Sequence, residues 1–277
     1  MVMPGLGDSF REQLILRSMS SAFIVFLVLG ALFAGGWFWI AVASAVALVS
    51  LWEFYALLST KYKLSRGLGM AAGAILLWAA AADLSLSALL SVLSLIAFLV
   101  LLIEILRRQT TEESFALWNM GGTLAGIAYV VLPWSFMILI RAQTWGHLFL
   151  LTLFLCTWSC DVAAYLVGSR WGKTPLCERV SAKKTWEGFG GGVLCSLLCA
   201  GILAFWFEFP PLPLILLGLL CGVAGQLGDL GESVLKREAG VKDSGNLIPG
   251  HGGMLDRFDS ILVNAALAFL IFEVIGR

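Results

Sequence analysis

The residue types best suited to chemistry are gathered in one stretch near the C-terminus. Ser233 to Asp259 reads SVLKREAGVKDSGNLIPGHGGMLDRFD. It holds Lys236, Arg237, Glu238, Lys242, Asp243, Asp256, Arg257 and Asp259, in a chain that is 60% hydrophobic and only 13% charged. Gly240, Gly245, Gly250, Gly252 and Gly253 lie between them. Glycine lets backbone N–H groups approach a ligand closely. Lysine and arginine offer charge-assisted bonds to phosphate. Asp256 and Asp259, at i and i+3, share one helix face and can hold a divalent cation. Phosphate, metal and membrane are the three themes this stretch combines.

Other candidates lie upstream. Glu53, Glu104, Asp161 and Asp229 fall within or at the ends of apolar runs. A carboxylate at the centre of a membrane helix costs roughly 2.5–3.5 kcal/mol on the insertion scale, so each needs a reason. Glu104, three residues before Arg107 at a span end, reads as a snorkelling interfacial charge. Glu53 reads as a helix–helix polar contact. Asp161 lies deeper and reads as a site residue. Asp229, among Gly225, Gly228 and Gly231, reads as a metal ligand. A second basic cluster, Lys183 and Lys184, precedes Gly188, Gly190, Gly191 and Gly192. Basic anchors alone do not require those glycines, whereas a phosphate-binding turn entering a helix N-terminus accounts for both. His251 reads as a nucleotide or phosphate contact, against a purely structural role in a glycine turn. The six cysteines show no CxxC spacing and read as small apolar packing residues.

The elements that position these residues follow from hydropathy. Mean hydropathy is +0.92, and repeated apolar runs approach the length that spans about 30 Å of hydrocarbon. The alternating short segments of a β-barrel are absent. The fold class is therefore all-α, a polytopic integral membrane protein. Spans are expected at 19–35, 37–58, 67–83, 85–106, 117–140, 147–168, 189–207, 212–232 and 260–276, about nine in all, with Pro133 kinking the fifth. Residues 9–18 form an amphipathic lead-in to the first span. With the N-terminus inside, alternation places every Lys and Arg on the cytoplasmic side except Arg141 and Arg277. That asymmetry predicts an N-in, C-out topology. Both long loops, about 169–188 and 233–259, then face the cytoplasm. Residues 1–150 carry the first five helices, and residues 151–277 carry the remaining helices and the polar loops. Asp229 and Asp256 are expected at solvated helix ends.

At these residues the chain resembles the phosphatidate cytidylyltransferase family, the CDP-diacylglycerol synthases. Ser233, Lys236, Arg237, Lys242, Asp243, Gly245, Ile248, Pro249, His251, Gly252, Gly253, Asp256, Arg257 and Asp259 match the family signature at every fixed position. Asp161, Ala164-Tyr165, Gly168 to Lys173 and Ser181 to Gly188, which contains Thr185, are similar to its upstream pattern. Ala182 departs from it, because the family usually has proline there. The resemblance covers roughly residues 155–260. It implies transfer of the cytidylyl group of CTP to phosphatidic acid, giving CDP-diacylglycerol and pyrophosphate. It implies a catalytic set of Asp229, Asp256, Lys236, Arg237, Lys242, Asp243 and Arg257. Substrate contacts are expected from Lys183, Lys184, Thr185, Ser233, His251, Gly252, Gly253 and Asp161. Magnesium is expected on Asp229 and Asp256 with Asp259 assisting, and a second cation is left open. The implied partners are CTP, phosphatidic acid, the bilayer and a second copy of the chain, with no nucleic-acid polymer. The site would face the cytoplasm, at the inner membrane in a bacterium. The alternatives are a CTP-dependent polyprenol or phytol kinase, a CDP-alcohol phosphotransferase, whose D-G-x-x-A-R start is absent, and an ion-coupled transporter.

Overall fold

The computed structural model describes residues 6–59, 63–248 and 252–275. Among the described residues nine helical rods form in chain order: α1 (Leu6–Ala34), α2 (Gly36–Leu58), α3 (Arg66–Ala81), α4 (Leu86–Thr111), α5 (Ala116–Gly126) continuing into α6 (Leu132–Ala142), α7 (Gly146–Trp171), α8 (Trp186–Trp206), α9 (Pro211–Glu238) and α10 (Leu255–Ile275). Six of these rods are long and apolar enough to cross a membrane. The protein is all-α in its spans and passes the membrane several times. At 16 residues α3 is only about 24 Å long.

Several boundaries differ from the sequence expectation, each for a local reason. The lead-in at 9–18 is continuous with the first span within α1. The fifth rod is interrupted by a π-helical turn, Ile127–Val131, immediately before Pro133. Proline lacks an N–H, and its ring crowds the carbonyl four residues back, so the wider turn relieves that clash. The α9 helix runs six residues past the expected end at 232. Lys236, one turn after Glu232, pairs with it at 3.0 Å and so continues the helix into charged sequence. The loop between α9 and α10 therefore shrinks to residues 239–254. The stretch after α7 is a small antiparallel hairpin, β1 (Pro175–Cys177) and β2 (Ser181–Thr185).

One apolar core runs from Val28 in α1 to Phe272 in α10. Trp39 of α2 meets Phe154 of α7 edge-on at 6.4 Å, and Trp134 of α6 meets Phe258 of α10 at 5.2 Å. Phe26, Phe98, Ile202 and Phe205 stay exposed on the outer surface, as expected of helices facing lipid. The cysteines are free thiols, with Cys156, Cys160 and Cys221 buried as packing residues.

Glu104 does not snorkel. It is 3% exposed and closes a network among α3, α4 and α5. Its carboxylate accepts from the Phe115 N–H at 2.7 Å, from Asn119 Nδ2 at 2.6 Å and from Arg107 at 2.5 Å. Asn119 Oδ1 in turn accepts the Ser65 N–H at 2.7 Å. Glu104 thus serves the start of α5, whose first N–H groups have no helical partners. Replacing Asn119 with Leu should remove one of the three partners of Glu104 and leave the Ser65 N–H without its acceptor. Each buried group left unpaired costs about 1–3 kcal/mol. Thermal melting in detergent should fall by several degrees, and an unchanged melting curve would show that the network carries no stability.

Candidate active site

The helical spacing of α9 creates one half of the site. Asp229, Glu232 and Lys236 stand at i, i+3 and i+7 and share a face. The first turns of α10 supply the other half with Asp256 and Asp259. Gly228 lets these helices close: a Cβ there would stand 2.9 Å from Val263 and 3.2 Å from the Asp259 carbonyl. Lys236 Nζ then reaches both helices, at 3.0 Å from Glu232 and 2.7 Å from Asp256.

Asp256 is more than an end-of-helix charge. Its Oδ1 takes Lys236, while Oδ2 accepts the Ser244 N–H at 2.9 Å, the Ser244 hydroxyl at 2.9 Å and the Gly253 N–H at 2.8 Å. Its side chain is 4% exposed, so the expectation of a solvated helix end is corrected here. Asp229 does lie open: its side chain is 36% exposed and its Oδ2 pairs with Lys184 Nζ at 2.7 Å. Lys184 reaches it from β2 and also donates to the Gln226 carbonyl at 3.3 Å.

A cavity of about 970 Å³ lies above these groups. Asp161, Lys183, Lys184, Thr185, Asp229, Lys236, Asp243, Asp256, Arg257 and Asp259 all line it. Its lining also includes apolar side chains, among them Ile24 and Val25 from α1 and Val162 from α7. Arg237 and Lys242 are exposed and do not line the cavity, and neither does Ser233, on the same helix as Arg237. His251 and Pro249 lie outside the described residues.

The glycines do different work from the expected ligand approach. In α8, Gly188, Gly191 and Gly192 admit α7: a Cβ at Gly188 would lie 2.7 Å from the Ala164 carbonyl. The Thr185 hydroxyl caps α8 by accepting the Gly188 N–H at 3.2 Å. Gly252 takes a left-handed φ of +85°, which favours glycine. It also passes so close to Asp256 that a Cβ would stand 2.8 Å from its Oδ2. The ligands these loop glycines approach are the protein's own carboxylates.

Two groups outside the recognisable stretch also border the site. Glu53 of α2 accepts the Leu255 N–H at 2.8 Å. The buried Tyr129 hydroxyl, in the π turn, has no hydrogen-bond partner and lies within electrostatic reach of Glu232, Asp259 and Asp229. Glu53 makes the helix–helix polar contact that its place in an apolar run suggested, whereas nothing in the local spacing signals Tyr129.

The donor set suits a hard cation. Asp229 and Asp259 face the cavity. Behind them Glu232 is fully buried, fronts Asp259, and leaves Oε1 without a hydrogen-bond partner. Among the described residues no three acidic, His or Cys side chains converge to hold an ion by themselves. Magnesium does not require that, because it commonly uses one or two carboxylates with water and substrate phosphates.

Residues 15–275 match the model of the cytidylyltransferase family. The chain belongs to the cytidylyltransferase family. The phosphatidate cytidylyltransferase of Staphylococcus aureus (strain COL) is 35% identical over 250 residues, covering 89% of this chain and 94% of the relative. That of Bacillus subtilis (strain 168) is 39% identical over 188 residues, 67% of this chain and 66% of the relative. The match extends the family's reach well upstream of residue 155, into the helices that carry Glu53 and Tyr129.

In this cytidylyltransferase fold Asp256 and Asp229 should behave oppositely on neutralisation. Asn at 256 must turn an amide donor toward either Lys236 or the Ser244 and Gly253 donors. That mismatch in a buried network should cost about 2–3 kcal/mol. Asn at 229 should stay within about 0.5 kcal/mol of the parent, as open positions usually do. Melting curves in detergent check the contrast, and equal losses would contradict it.

Proposed function

We propose that the protein transfers the cytidylyl group of CTP to phosphatidic acid. A phosphatidate phosphate oxygen forms the new bond to the α-phosphorus of CTP, and the bond to the β,γ-diphosphate breaks, releasing pyrophosphate. The observation that carries this reading is the mixed lining of the cavity, where lysines, Arg257 and aspartates stand together with apolar side chains of α1 and α7. Such a cavity suits a lipid phosphate meeting a nucleotide. The relatives named phosphatidate cytidylyltransferase support the same assignment over a lipid kinase or a transporter.

The attacking oxygen is already ionised at neutral pH, so the chemistry needs placement and charge screening more than a strong base. Lys183, Lys184 and Arg257 line the cavity and would bind phosphate oxygens there. Lys236 is held between Glu232 and Asp256, so its ammonium is fixed before substrates arrive. Ile24, Val25 and Val162 offer an acyl-chain contact and exclude water from that side. Asp229 and Asp259 would hold magnesium, with Asp256 anchoring the loop beside them. When bound, that ion screens the repulsion between two polyanions. A homodimer, implied by the family resemblance, belongs to the same reading.

Protein in detergent, given labelled CTP and phosphatidic acid, should produce lipid-extractable label, and chelation of magnesium should abolish it. Asp229→Asn and Asp259→Asn should each cut turnover by about 100-fold or more, the scale of losing a charge-stabilising group. Absence of lipid label from folded protein would refute the activity, and near-normal turnover of both variants would refute the metal assignment.

We further propose an N-in, C-out arrangement with the site facing the cytoplasm, on the basis of the basic-residue asymmetry. Glu178 in the hairpin and Asn246 in the α9–α10 loop are exposed reporters. In a Cys177→Ser background, cysteine at either should react with an impermeant reagent in inverted vesicles and stay silent in right-side-out ones. The reverse pattern would invert the topology.

A further inference from the structure

Glu53 belongs to α2, about 200 residues before the site stretch, yet it is 1% exposed and touches that stretch directly. Its Oε2 accepts the Leu255 N–H at 2.8 Å and lies 3.4 Å from the Ser244 hydroxyl. Its Oε1 is buried without a hydrogen-bond partner. Two glycines of the loop exist in close contact with it. A Cβ at Gly245 would stand 2.6 Å from Oε1, and one at Gly253 would stand 2.6 Å from Oε2. The loop backbone is therefore laid against this carboxylate with no room for a larger residue.

The same loop atoms serve the site. Ser244 and Gly253, pressed against Glu53, are the residues whose N–H groups bind Asp256. Leu255, whose N–H Glu53 accepts, opens the helix that carries Asp256, Arg257 and Asp259. An acceptor at a helix N-terminus fixes where the first turn begins. A buried acid on a lipid-embedded helix is costly to keep if α2 needed only to pack, since an apolar side chain of that size would do so.

We propose that Glu53 is a positioning residue for the reaction. It holds the α9–α10 loop and the first turn of α10 in the register that presents Asp256, Arg257 and Asp259 to the cavity. The inference draws on the cytidylyl-transfer reading only for its turnover measurement.

The test uses full-length protein in detergent with Glu53→Met, which fills the space but accepts nothing, and Glu53→Gln, which restores an acceptor. Trypsin reports the loop directly, because Lys242 is exposed within it. In Glu53→Met, cleavage after Lys242 should quicken and kcat should fall, each by about tenfold or more, while KM for CTP moves much less. Glu53→Gln should recover most of both. Melting should remain cooperative in both variants. The proposal is overturned if Glu53→Met keeps the parent's kcat and cleavage rate. It is equally overturned if kcat falls with the loop still protected, or if Gln behaves no better than Met. If the unaltered protein shows no cytidylyl transfer, the activity reading fails, and the cleavage comparison alone still decides whether Glu53 holds the loop.

Discussion

Asp256 is the point on which the site depends. One carboxylate joins α9 through Lys236, the loop through Ser244 and Gly253, and α10 through its own backbone. A buried acceptor satisfied from four directions fixes its partners as firmly as they fix it, because hydrogen bonds strengthen away from bulk water. Around it negative groups outnumber positive ones. Five aspartates and four basic side chains line the cavity, with Glu232 buried behind them. An excess of carboxylate in a poorly solvated place is expensive unless cationic or polyanion-bound ions complete it. The protein meets part of that cost internally through the Lys184–Asp229 and Lys236 pairs.

Much of this was legible because helical spacing is local. Asp256 and Asp259 at i and i+3 do share the face the spacing implied, and Lys183, Lys184 and Asp161 do border the same cavity. Each expected span falls on a helical rod, and six of those rods are long and apolar enough to cross a membrane. Ends were less legible. Hydropathy stops near residue 232, whereas α9 continues because Lys236 neutralises Glu232 from within the helix. The glycines misled for a related reason: a missing Cβ reports that something comes close without saying what. At Gly188 it is another helix, and at Gly245 it is a carboxylate from α2.

The first half of the chain was the least legible part, because its contributions have partners far away in sequence. Glu53 and Tyr129 acquire meaning only once α2 and the fifth rod pack beside α10. The π turn matters here. It includes Tyr129, which lies within electrostatic reach of the acidic groups of α9 and α10. Glu104 is the counterexample, a buried acid whose network stays within the first half and supports the fold.

The apolar edge formed by Ile24, Val25 and Val162 has a consequence for how the protein experiences its lipid. A ligand that slides in past those side chains stays in the two-dimensional leaflet throughout. Its supply is then set by its mole fraction among the surrounding lipids, and adding inert lipid at constant total amount dilutes it. The nucleotide obeys volume concentration at the same moment. One cavity would thus sample two different concentration scales, one per area and one per volume, and membrane composition would act on the encounter in a way that no change in nucleotide concentration can replace.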